Sequence, residues 1–255
     1  MIVVKLRAAR RAAIARGSAH KKGASREATP AARGGVQTEV TGRRGRVPYY
    51  NQTTDFTCGP SSLLMAMKAL DPKSDISRTH ELLLWREANT IFMGSDGHGG
   101  CGATGLALAA HRRGFDVEVW VNHKGTLLGS RPKTKDRAQV MSLLQQADVA
   151  EMKRLKIPYR IGALSIDQLQ AEIAGGAVPV VLVSMDYIHK DPTAHWVVVT
   201  GIDGESVTVN DPWISKNLGN TRRTMQDYVV PRDAFHAMTA YGSKKERATV
   251  LIRRR

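Results

Sequence analysis

Residues 52–70 read QTTDFTCGPSSLLMAMKAL, and how this stretch folds decides the rest. An extended lead-in reaches Cys58, one of two cysteines in the chain. Gly59, Pro60, Ser61 and Ser62 then supply the chemistry of a helix start, because proline's fixed φ suits a first helical turn. Leu63, Leu64, Met67 and Leu70 recur at helical spacing, and Met65 and Ala66 fill most of the remaining surface. A helix apolar nearly all round belongs in a core. Asp71-Pro72 ends it.

A thiol at the start of a buried helix is chemically biased. The unpaired N–H groups and the positive end of the helix dipole favour the thiolate, which is the nucleophile. The ordinary alternative is a small core residue, since free cysteine is among the most buried types. A catalytic reading needs a base, and the segment AHWVVVTGIDGESVTVNDPW at 194–213 offers one. The valine-rich run 195–201, the Asp203-Gly204 turn and the return 206–211 predict a β-hairpin. His195 opens the first strand and Asp211 closes the second, so the hairpin brings them together. A carboxylate beside an imidazole fixes its tautomer and stabilises the imidazolium. Cysteine, histidine and aspartate so arranged make a thiol-protease constellation.

These residues resemble a known family. Gln52 stands six positions before Cys58, Gly59 follows it, His195 leads a hydrophobic strand, and Asp211-Pro212 comes sixteen residues later. The pattern looks like cysteine peptidase family thirty-nine of the papain-like clan, the bacteriocin-processing or double-glycine peptidases. It looks closer to a stand-alone branch that shares the TTDFTCGP and HWVVVTG wording. The resemblance covers the chain from about Val47 onward. It implies a papain-like α+β fold, a helical first half with the nucleophile at a helix N-terminus packed on an antiparallel sheet. It also implies roles: Cys58 as nucleophile, His195 as general base and acid, Asp211 as the orienting residue, and Gln52 as oxyanion donor beside the Cys58 N–H. A peptide or protein is the implied substrate, with no metal or cofactor. The resemblance does not reach the membrane and ATP-binding domains of the transporter members, and it leaves the double-glycine substrate open.

Composition sets the frame. The chain has 255 residues, 42% hydrophobic, with a net charge of +15, of which residues 1–47 contribute +10. Residues 1–46 therefore read as a basic, disordered tail, and 47–255 as one peptidase-like domain. The tail is the part suited to an acidic partner or nucleic acid, although no aromatic residue is interleaved for base stacking. Its Arg-rich, acid-poor composition also fits an organelle presequence, while the domain suits a cytoplasmic protein. Two cysteines allow at most one disulfide, and a Cys58–Cys101 bond would disable the nucleophile, so both are expected reduced. No run of about 18 apolar residues predicts a membrane helix.

Along the rest of the domain, residues 77–92 predict a helix with Leu82, Leu83, Trp85 and Ile91 toward the core. The Gly-rich run from Gly94 to Gly102 lacks a phosphate-loop or dinucleotide pattern and reads as a wall of the substrate cleft. His98, Cys101 and the nearby His111 make only a thin metal set. Helices are expected at 103–113, 136–155, 166–174 (opened by a Ser165–Gln168 capping box) and 231–241. Strands are expected at 115–121, 157–161, 179–185 and 248–252, with polar loops at 186–193 and 214–226. An odd-length connection or a bulge near 202–205 would set His195 opposite Asp211, Val197 opposite Val209 and Val199 opposite Val207, gathering the valines on one face. Two other functions fit parts of the pattern: a deamidase or amide transferase on the same fold, and a non-catalytic binding protein working through the tail.

Overall fold

The computed structural model describes residues 47–90 and 99–255. The expectations for residues 1–46, both tail and partners, lie outside the described residues, as does most of the Gly94–Gly102 loop with His98. Three helices come first: α1 (Cys58–Leu70), α2 (Arg78–Ala88) and α3 (Ala103–Arg112). Then follow β1 (Phe115–Val121), α4 (Lys135–Arg154), β2 (Tyr159–Ile161), α5 (Ile166–Ala174), β3 (Val178–Ser184) and the single turn α6 (Asp186–His189). The hairpin β4 (Ala194–Ile202) and β5 (Ser206–Asn210) leads to α7 (Arg222–Met225), β6 (Tyr228–Pro231), α8 (Arg232–Met238) and β7 (Ala248–Arg254). The strands form one sheet in the order β2-β1-β7-β3-β4-β5-β6. Only β1 and β2, joined through α4, run parallel. The architecture is the α+β one expected, with the helical first half laid on a mostly antiparallel sheet.

The alternation of side chains along the strands sorts the core into two layers. One layer packs α1 and α3 against Val117, Val119, Val180, Leu182, Trp196, Val198, Val250 and Ile252. The other packs Leu169 and Ile173 of α5 and Phe235 and Met238 of α8 against Val181, Val183, Val197, Val199, Val207 and Val209. The four hairpin valines 197, 199, 207 and 209 share one face, as the alternation requires. Every residue of α1 except Lys68 and Ala69 is buried.

Several expectations need correction. The hairpin pairs Val199 with Val209 and Val198 with Asn210, then slips so that Gly201 faces Thr208 and Ile202 faces Val207. The bulge is at Thr200, not in 202–205, and the turn lies one residue later, because Asp203 N–H bonds the Ser206 carbonyl across Gly204-Glu205. Three side-chain and backbone bonds from Glu205 and Ser206 to the Asp203 carboxylate hold that turn. His195 therefore does not sit directly opposite Asp211. The observed pairing, continued one step past Asn210, sets Asp211 across from Val197, on the His195 face and one diagonal away. The loop at 186–193 contains α6, and 214–226 contains a 3₁₀ turn (Lys216–Leu218) and α7; the β6 strand was not expected.

Helix α2 is capped by Ser77, stops at Ala88, and turns Glu81, Leu84 and Ala88 inward; Leu83 is exposed and Leu82 and Trp85 are half-buried. The reason is Glu81, which is 0% exposed and accepts five hydrogen bonds. Oε1 takes the Thr53 N–H at 2.8 Å, the Ser61 hydroxyl at 3.1 Å and the Thr57 hydroxyl; Oε2 takes the Tyr50 and Thr53 hydroxyls, each at 2.8 Å. All five donors come from the segment around Gln52 and Cys58. A buried carboxylate demands such donors, and it overrides the apolar face that spacing alone selects.

Helices α2 and α3 meet so closely that a Cβ on Gly105 would lie 2.8 Å from the Ala88 carbonyl oxygen. Gly105→Ala should push them apart and cost about 1–3 kcal/mol, read as a lower urea midpoint. Glu81→Leu should cost about 3 kcal/mol or more, since it leaves several buried donors dry. Glu81→Gln should fall between, because the Tyr50 and Thr53 hydroxyls can turn to accept from the new amide.

Candidate active site

The segment before α1 is fixed to the strand end that carries Asp211. Asn210 Nδ2 donates to the Val47 carbonyl at 3.2 Å, the Tyr49 hydroxyl donates to the Asp211 carbonyl at 2.8 Å, and Gln52 N–H donates to the Pro212 carbonyl at 2.9 Å. Gln52, Cys58, His195 and Asp211 are all buried, and the chain brings them into one neighbourhood from three separate segments.

Cys58 is the first residue of α1. Thr57, at the N-cap, forms no side-chain cap, because its hydroxyl is turned to Glu81 and Thr54. The first-turn amides, which have no partner inside a helix, are thus not closed off by the usual hydroxyl. Cys101 packs against the next residue of α1: a Cβ on Gly59 would stand 3.1 Å from the Cys101 Cβ. Both cysteines are free. Cys101 is 0% exposed, and burial, then the neighbouring Cys58, push its thiol well above the ordinary range. Its carbonyl accepts from Trp196 Nε1 at 2.9 Å, and the Ser62 hydroxyl donates to the Trp196 carbonyl at 3.0 Å, which ties α1 to β4.

His195 Nε2 lies 2.7 Å from Asp211 Oδ1, within the reach expected of an orienting pair. Cys58 is near enough to act on the charge of the ring. With Nε2 taken by Asp211, the nitrogen left for the sulfur is Nδ1. Burial by itself would drive the imidazolium to lose its proton. Asp211 and Cys58 together outweigh it, and the His195 pKa is pushed up to about 10. Burial likewise opposes the Asp211 charge, yet His195 and His189 hold its carboxyl below the usual range. Asp211 Oδ1 also accepts from the Trp213 N–H at 2.8 Å.

Gln52 Nε2 donates to the Thr54 carbonyl at 2.7 Å, while its Oε1 is buried with no partner. One amide hydrogen is thereby spent on positioning and one is left over.

The residue that sequence reasoning missed is His189. Its Nε2 lies 2.8 Å from Asp211 Oδ2, so the aspartate carries an imidazole on each oxygen. The two rings stand 6.2 Å apart and nearly perpendicular. The available signal was weak: a histidine six positions before His195, in a polar loop joining two adjacent strands.

Where the Gly-rich loop is described, it packs on the residues that follow α2. Gly99 packs so tightly on Thr90 that a Cβ would fall 1.9 Å from the Thr90 carbonyl oxygen. The close approach that needs glycine here is to the chain itself. Thr90 N–H bonds the Gly100 carbonyl at 2.9 Å and Asn89 pairs with Cys101, returning the loop along the end of α2. Among the described residues no group of three or more His, Cys, Asp or Glu side chains is placed to hold a metal, and no helix is long and apolar enough to cross a membrane.

No curated protein matches the chain. Solved structures similar to it include a Bacillus anthracis protein described as a C39-like peptidase, 17% identical over 84% of this chain and 98% of that one, with a TM-score of 0.49. Another is a double glycine motif protease from an AMS/PCAT transporter, solved with the leader peptide, 16% identical over 85% of this chain and 97% of that one, TM-score 0.41. A third is the peptidase domain of Streptococcus ComA, a bifunctional ABC transporter of a quorum sensing pathway, 14% identical over 82% of this chain and 99% of that one, TM-score 0.41. A family model, by contrast, matches residues 47–253, nearly the whole of the described chain, and by that match the protein belongs to the Peptidase C39-like family.

Proposed function

We propose that the chain is an active thiol peptidase with Cys58 as nucleophile. The observation that carries this reading is the buried 2.7 Å contact between His195 and Asp211, with Cys58, at the start of α1, near enough to raise the pKa of the same ring. A core cysteine needs no such neighbour.

The proposed reaction has two halves. Cys58 and His195 react as a thiolate and an imidazolium. The sulfur attacks a peptide carbonyl carbon, the C–S bond forms, and the carbonyl electrons move to oxygen. The left-over Gln52 Nε2 hydrogen and the Cys58 backbone N–H receive that oxyanion. As the C–N bond breaks, the imidazolium gives its proton to the leaving nitrogen, so the amine departs neutral and an acyl-thioester remains. Neutral His195 then takes a proton from water while the water oxygen attacks the thioester. Collapse breaks the C–S bond and releases the acid, and the sulfur and imidazolium are restored. Asp211 holds the ring through Nε2 and stays ionised throughout.

Cys58→Ala and His195→Ala should abolish turnover of peptides with the fold intact, since each removes a chemical group at the edge of the core. Gln52→Ala should be milder, a fall of about 100- to 1,000-fold in kcat, the usual cost of one oxyanion donor. New N-termini in a proteome digest, scored against the Cys58→Ala protein, supply substrates for the assay. A native protein that generates no termini beyond those of the Cys58→Ala protein would sink the reading.

The His195–Asp211 pair also shapes stability against pH. The folded His195 pKa lies above the ordinary 6.5, so its stabilisation is full below about pH 6.5 and is lost as pH rises toward about 10. The Asp211 carboxyl lies below the ordinary 3.8, so its stabilisation is present above that pH and is lost as pH falls. Thermal midpoints should peak between about pH 4 and 6.5. In Asp211→Asn the alkaline decline should flatten relative to the native protein.

A further inference from the structure

Asp211 is held on both oxygens, and the second holder has no part in the proposed reaction. Oδ1 accepts from His195 at 2.7 Å and from the Trp213 N–H at 2.8 Å, while Oδ2 accepts from His189 at 2.8 Å. The His189 side chain is only 2% exposed. Its far nitrogen, Nδ1, lies 3.3 Å from Asn220 Nδ2. An amide N–H can only donate, so Nδ1 accepts, and the ring proton sits on Nε2. The His189 Nε2–H is thus set to donate to the carboxylate.

The loop that supplies it is built for the purpose. Residues 185–193 leave β3 and enter β4, which pair through Ser184–Ala194 and Val183–His195. Met185 N–H bonds the Thr193 carbonyl at 3.0 Å and closes the loop at its base. His189 N–H bonds the Met185 carbonyl at 2.7 Å, and Lys190, at φ 56°, stops the helix directly after the histidine. Other titratable and charged groups about this site are Asp186 and Lys190, exposed on its own loop, with the Lys190 ammonium over the Tyr187 ring, and Tyr228 of β6, which lies within range of the Asp211 charge. Tyr49 bonds the Asp211 carbonyl, and Arg222 of α7 lies 5.8 Å over the Tyr49 ring.

We propose that His189 is a positioning residue for the peptidase reaction, keeping the buried Asp211 ionised and blunting its hold on the His195 proton. The proposal rests on the peptidase reading above. A lone buried carboxylate would bind that proton tightly, because releasing it leaves an unshared negative charge in the core. A neutral N–H on Oδ2 spreads the charge, so the imidazolium can give its proton to the leaving group. A merely structural histidine would act otherwise: its loss would loosen Asp211 and weaken the hold.

The sign of the effect separates the two. Iodoacetate alkylation of Cys58, followed by intact mass, falls at alkaline pH as the imidazolium that attracts the anionic reagent is lost. In His189→Leu this alkaline limb should move up by about half to one pH unit. In His189→Gln, which keeps a neutral N–H donor, it should stay near the native position. An unmoved or lowered limb in a folded His189→Leu overturns the proposal. Should the leucine variant not fold, a glutamine limb displaced by a full unit overturns it. Imidazole ¹⁵N shifts of the native protein form an independent arm: the neutral Nε2–H tautomer at neutral pH is expected for His189, and a doubly protonated ring refutes it. A Cys58 no more reactive than an ordinary thiol would instead sink the peptidase reading, with the tautomer still left to judge His189.

Discussion

A carboxylate taken out of water must be met by donors or give up its charge, and the geometry of this protein follows from two that are met. Glu81 and Asp211 are both fully buried, and neither is paired with a lysine or arginine among the described residues. Glu81 draws hydroxyls and one amide from Tyr50, Thr53, Thr57 and Ser61, so the segment bearing Gln52 is wound around it. Asp211 draws two imidazoles and the Trp213 amide. At Glu81, short hydroxyl and amide donors fix the chain at close range without adding a charge, whereas at Asp211 the raised pKa of His195 sets a cation beside the carboxylate.

The two carboxylates are also linked. The stretch from Tyr49 to Gln52 bonds backward to Asp211 and Pro212, while Tyr50 and Thr53 bond outward to Glu81. The backbone carrying Gln52 is therefore clamped between helix α2 and the end of β5. That clamp turns the Thr57 hydroxyl away from its usual capping duty and leaves the start of α1 open beside Cys58. Cys101, in contrast, lies wholly enclosed, its thiol raised by burial. Of the two cysteines, only Cys58 stands at a helix start, where the first-turn amides favour a thiolate.

Much of this was legible in the sequence, and the reason is periodicity. The all-apolar α1, the strand at 115–121 with its exact bounds, and the capping box that opens α5 each follow from local pattern. The inward face of α2 did not, because Glu81 sits where a helical repeat assigns solvent, and only tertiary donors explain its burial. Strand β6 is four residues ending in proline, too short to stand out from its flanks. His189 escaped because the partner that gives it meaning is 22 positions away in the chain. The segment's own chemistry, DYIHK, says only that it is polar.

The hairpin shows why a wrong register can still lead to the right pair. Side chains alternate with period two, so a slip of one residue would carry Asp211 to the opposite face from His195. The observed pairing differs from the expected one by two residues at the open end: Val199 meets Val209 instead of Val207. A slip of two preserves the face. It changes a directly opposed pair into a diagonal one, with Asp211 across from Val197 rather than His195. Diagonal neighbours lie farther apart at Cβ, and the histidine ring spans that extra distance where a shorter side chain would not. The second carboxylate oxygen is not taken by His195 and accepts from His189. A directly opposed aspartate would spend itself on one partner across the ladder. The displaced one has a free edge, and the one-turn helix between β3 and β4 brings His189 to it.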